Sequence, residues 1–171
     1  MVGATSEQAE AQRIYESLEK YQGTDFIAGI ATQLSTWQEQ TGQISEALVN
    51  LQKALEIYER SYGMHDVRTC KIKRNIALVY IRGSNFEDAL RELKEVEELE
   101  RELYGDTSAQ LAKTQKIIGI LMIIMRNNAE NNKFISADSA REYLMAAHAI
   151  FEQRGMLKQL RETKQKLKLL A

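Results

Sequence analysis

Several things are scarce in this sequence, and each scarcity removes a class of protein. Cysteine occurs once, as Cys70, which excludes an internal disulfide and leaves neither a CxxC pair nor a Cys/His cluster to hold zinc. A reducing compartment is the expectation. An excess of one charge is missing too, since 23 Lys and Arg face 24 Asp and Glu for a formal net charge of −1. No global positive field exists to drive binding by counterion release, so nucleic acid is not expected as a main partner. Long apolar runs are also lacking. The longest, Ile117 to Met125, is far short of the ~20 residues that cross a bilayer. The start, Met1 to Gln12, has neither the basic nor the apolar stretch of a secretory signal. These absences predict a soluble, cytoplasmic protein with no membrane insertion.

Proline is absent altogether, while Ala, Leu, Glu, Lys, Gln and Arg abound. These residues lose little rotamer freedom in a helix, which points to an all-α fold. At 171 residues the chain is long enough for one body with a real core, because a domain of about 150 residues buries roughly two-thirds of its unfolded surface.

The sequence repeats itself. Ile44-Ser45-Glu46-Ala47-Leu48 recurs as Phe86-Glu87-Asp88-Ala89-Leu90, and Tyr62-Gly63 as Tyr104-Gly105, at a shift of 42. The same shift links Leu34, Ile76 and Ile118, and also Ser35, Ala77 and Gly119. A third copy of the second helix follows at a shift of 93, where Ala140, Leu144, Ala147, Ile150 and Phe151 match Ala47, Leu51, Ala54, Ile57 and Tyr58. The excess over two shifts places an insertion near 127–135, in an Asn-rich stretch that reads as a loop.

Each repeat splits into two helical stretches by its apolar spacing, for example Ile72, Ile76, Val79 and Tyr80, then Phe86, Ala89, Leu93 and Val96. Gly42 and Gly83 mark turns inside the pairs; Gly63 and Gly105 end second helices, where a left-handed residue is commonly needed. Asp66, Asp106 or Thr107, and Ser136 are candidate caps. Small residues at Ser35, Ala47, Ala77, Ala89, Gly119 and Ala140 let paired helices approach closely. The expected organisation is an N-terminal helix in 1–24 that could be a partial repeat, repeats at 25–65, 66–106 and 107–155, and a capping helix at 156–171 with a Lys-rich outer side.

The order of a small residue in the first helix, a turn glycine, then Ala-Leu and a later Ala is similar to the tetratricopeptide repeat. The stretch Ala54 to Val67 resembles the longer, 42-residue repeats of kinesin light chains. Gln38 stands where Tyr80 stands in the second repeat. The resemblance implies a right-handed superhelix, an α-solenoid of about three antiparallel hairpins with flanking terminal helices. It also implies that the first helices line a concave groove for a peptide. On that pattern the groove residues are Lys71, Arg74, Asn75, Leu78 and Arg82 of the second repeat and Lys113, Lys116, Ile117, Ile120 and Ile124 of the third. Thr32, Gln33 and Thr36 take these positions in the first. Cations beside an apolar strip suit an acidic peptide with large apolar anchors. The plainer alternative is a solvated helix face over a core strip.

No Walker loop, GxGxxG, HExxH or GxSxG motif occurs. His65 falls in an inter-repeat turn, His148 in a helix between alanines, and Cys70 beside Lys71 and Lys73 reads as a structural thiol. The acidic run Glu95, Glu97, Glu98, Glu100, Glu102 reads as the solvated face of a second helix. The expectation is a protein-binding adaptor, neither an enzyme nor a binder of a cofactor or metal. Its alternative is a structural subunit of a larger cytoskeletal or ciliary complex.

Overall fold

The computed structural model describes residues 24–128 and 136–170, and every regular element among them is an α-helix. They are α1 (Thr24–Gln40), α2 (Ile44–Tyr62), α3 (Val67–Arg82), α4 (Phe86–Tyr104), α5 (Ala109–Asn128), α6 (Ala137–Gln153) and α7 (Leu157–Lys168). The N-terminal helix expected within residues 1–24 and most of the expected insertion lie outside the described residues. The chain divides into two units, Met1–Ser84 and Asn85–Ala171.

In the first unit, α1 packs along α2 and α2 along α3. The α1 side of the first contact is built from Ala28, Ala31 and Ser35, the α2 side from Ala47, Leu51 and Ala54, and all six are buried. The four alanines and Ser35 are small enough to bring the backbones together, and Leu51 with Ile72, Ile76 and Val79 of α3 completes the apolar cluster. Gln38 is buried too, where its amide oxygen accepts from Asn50 Nδ2 at 2.8 Å. The two polar side chains satisfy each other, so Gln38 is tolerated at a position that takes Tyr80 in the next repeat.

In the second unit, α5 packs against α4 and α6, and α7 against α6. Gly119 lets α5 and α6 meet: a Cβ added there would stand 2.8 Å from Leu144 Cγ and 3.1 Å from the Ala140 carbonyl oxygen. Phe151 is fully buried at the far end of α6, with Met156 and Leu160 packed on its cluster. The Ile117 to Met125 run divides by period. Ile118, Leu121, Met122, Ile123 and Met125 are buried, whereas Ile117, Ile120 and Ile124 share a half-buried stripe.

Helix boundaries follow local chemistry. Asp66 caps α3 by accepting from Arg68 N at 2.8 Å, and Ser136 caps α6 by accepting from Ser139 N at 3.0 Å. For α5 the expected Asp106 or Thr107 is replaced by Ser108, whose Oγ accepts from Leu111 N at 3.2 Å. Asp106 instead pairs with Arg101 at 3.1 Å. Gly63 and Gly105 have φ/ψ of 87°/171° and 80°/166°. Their φ is positive as expected, yet their ψ is extended, a combination essentially reserved for glycine. Gly83 lies in the turn between α3 and α4 as expected, with φ of −77°, and the following Ser84 carries the positive φ of 60°. Gly83 is needed for space, since its Cβ would meet Ile44 Cγ2 at 3.0 Å.

Candidate protein-binding face

Lys71, Arg74, Leu78 and Arg82 follow one another at intervals of three, four and four residues, and Asn75 stands four after Lys71, so α3 presents them along one side. Lys71 and Arg82 are exposed at its edges; Arg74, Asn75 and Leu78 are half-buried between them. Beside Lys71 and Ile72 the surface sinks into a cavity of about 290 Å³. Its other walls are Gly29, Thr32 and Gln33 of α1, Tyr58 of α2 and Arg68 of α3.

Two local features create that cavity. Gly29 has no side chain to fill the space, and a Cβ there would meet nothing within 4 Å. Thr32 turns its hydroxyl back on its own helix, donating to the Ala28 carbonyl at 2.8 Å, which lays the side chain low. The cationic rim is partly prearranged. Arg68 lies 3.4 Å from the centroid of the Tyr62 ring and donates from Nε to Asp66 Oδ1 at 2.9 Å. That bond holds the Asp66 carboxyl below the usual carboxylate range. Asp66 therefore neutralises Arg68, whereas Lys71 has no ion-pair partner among the described residues.

The matching residues of α5 are differently engaged. Lys113 is exposed, but Lys116 is largely buried, 2.7 Å from Glu162 Oε2 of α7 and 5.9 Å from the centroid of the Phe151 ring. The pair pulls the Glu162 carboxyl below its ordinary value, chiefly through the hydrogen bond. Ile117, Ile120 and Ile124 remain half-buried along one side of α5. The sequence-derived set thus forms two stripes, one in each unit, and the α7 contact occupies one cation of the second.

The acidic run of α4 departs from its expected solvated role. Glu97 and Glu100 are buried, on the stripe that also carries Leu93. Glu97 accepts from Gln115 Nε2 and Arg101 at 3.1 Å through one oxygen and from the Tyr143 hydroxyl at 3.1 Å through the other. Lys94 donates to the same hydroxyl. Spacing held the signal, because Glu97 and Glu100 stand four and seven residues after Leu93. Cys70 is 1% exposed, and burial raises its thiol pKa against the opposing pull of Arg74 and Lys73. His65 is exposed and His148 half-buried. Among the described residues no three His, Cys, Asp or Glu side chains are grouped to hold a metal, and no helix is long and apolar enough to cross a membrane.

Residues 26–101, from α1 into α4, match the family model of the tetratricopeptide repeat. Over that segment the chain is similar to tetratricopeptide repeats. Such repeats generally mediate protein–protein interaction. Among solved structures, BtubC (BKLC) from P. vanneervenii is similar over 95% of this chain and 72% of that one, at 19% identity and a TM-score of 0.57. That likeness supports the all-α repeat fold. A Podosopora anserina protein described as a kinesin light chain with nearly identical TPR-like repeats is similar over 96% and 95% of the two chains, at 9% identity and a TM-score of 0.45. No curated protein sequence matches the chain.

Proposed function

We propose that the protein is a cytoplasmic adaptor that captures an extended, acidic segment of a partner protein on the first helices of its tetratricopeptide repeats. One observation carries the reading: the cavity between α1 and α3, left open by Gly29 and rimmed by Lys71, whose charge no described residue neutralises. A carboxylate approaching Lys71 meets net positive charge, because Asp66 offsets Arg68. Leu78, half-buried on the same helix, offers apolar contact that would slow dissociation. Neither the repeats nor the site residues suggest catalysis.

The test is the affinity of labelled acidic peptides for wild type and for Lys71→Glu with Arg74→Glu. Lys116 is left intact, because reversing it would break its pair with Glu162. Affinity is expected to fall at least about ten-fold with the melting curve unchanged, and wild-type affinity in the double variant sinks the proposal.

A second reading, a subunit built permanently into a larger complex, draws on the α2–α3 joint. There Tyr62, Met64 and Val67 are exposed by 37%, 59% and 48%. Under that reading the isolated chain self-associates in light scattering and captures no short peptide.

A further inference from the structure

The outer side of α7 does not suit a helix that merely covers the end of a repeat array. Such a cap should present a polar surface to water. Yet Leu157 and Leu169 are 64% and 65% exposed, the highest values among the large apolar side chains described. Leu157, Arg161, Lys164 and Lys168 lie at intervals of four, three and four residues, one row of a helix, and Lys158 begins the row beside it that ends at Leu169. All four cations are exposed. The one carboxylate of α7, Glu162, is turned to Lys116 and pairs with it. No ion pair to any of the four is present among the described residues.

We propose that this face is a second docking surface, separate from the α3 stripe, for an acidic extended polypeptide segment with an apolar residue at each end. The dimensions set the length. Leu157 and Leu169 are separated by twelve helical positions, about 18 Å along the axis, which about five extended residues span. Four cations between two leucines match a short run of carboxylates between two apolar anchors. The core of an interface between folded proteins is apolar with a polar rim, and here that order is inverted. A helix lying in a bilayer surface needs a continuous apolar face, but Thr163 and Leu170 of this segment are buried within the protein.

The experiment uses the full chain carrying Lys71→Glu and Arg74→Glu, so that the α3 stripe is silent and failure here leaves the proposed adaptor role untouched. The probe is a fluorescent peptide of four glutamates between two leucines, with the glutamine counterpart as control, read by anisotropy. The glutamate probe is expected to bind, more weakly as salt rises, and the control to bind at least about ten-fold more weakly. Adding Arg161→Glu, Lys164→Glu and Lys168→Glu should weaken the probe at least about ten-fold. Adding Leu157→Ser and Leu169→Ser in place of the reversals should weaken it several-fold while leaving the salt slope unchanged. Circular dichroism checks that each variant folds. Absence of probe binding, equal binding of the control, or indifference to the charge reversals overturns the proposal. So does a surface that adsorbs to phosphatidylserine vesicles without competition from the probe, or whose charge reversal abolishes self-association of the chain.

Discussion

The first helices α1 and α5 place different residues at equivalent repeat positions. Thr32, Gln33 and Thr36 of the one correspond to Lys116, Ile117 and Ile120 of the other. On α1 the two threonines are satisfied by the helix that bears them: Thr32 donates to Ala28 O and Thr36 to Thr32 O at 3.0 Å. On α5, Lys116 reaches to another helix and is fixed there by Glu162. The difference shows that a polar position is available to a partner only when its own chain leaves room around it. The first unit keeps a cavity; the second has committed the matching position to α7.

Two glycines in these helices sharpen the contrast, because the same kind of change should act on them in opposite directions. Gly119→Val would drive a branched side chain into Leu144 and the Ala140 carbonyl, so a loss of about 3 kcal/mol is expected in urea unfolding. Tyr143→Phe removes the hydroxyl that donates to buried Glu97 and should cost about 2 kcal/mol by the same measurement. A cost near zero would mean that Gln115 and Arg101 suffice for that carboxylate. Gly29→Ala meets open space in a helix interior and should raise stability by about 0.5–1 kcal/mol. It should also weaken acidic-peptide binding by intruding on the cavity. Stability and affinity moving together would break the comparison.

The smallest effect concerns pH. The folded-state pKa of Glu162 is lowered, so the stabilisation from its pair with Lys116 is present above the ordinary carboxylate value and is lost as pH falls through the lower folded value. Amide exchange in α7 should therefore quicken relative to α6 as the solution is acidified below about pH 4.5, and Lys116→Met should abolish that relative change.

Much of the fold was legible because it is written in spacing. The shift of 42 located the glycine joints, and the small residues that recur at that shift are the ones the helices close upon. What escaped depended on three-dimensional partners. Glu97 and Glu100 looked solvated by composition, and only the position of Gln115 and Tyr143 shows why Glu97 can point inward. Ser108 caps α5 in place of the more conspicuous Asp106, which Arg101 draws away. For the candidate face, the α3 stripe could be read directly from residue order. The cavity beside it could not, since it comes from a side chain that Gly29 lacks and a hydroxyl that Thr32 folds back.

Gly63 and Gly105 close second helices with nearly the same pair of dihedral angles. A fault at either joint sits in the main chain, where no neighbouring side chain can relieve it. A substitution at either glycine would therefore misdirect the helix that follows.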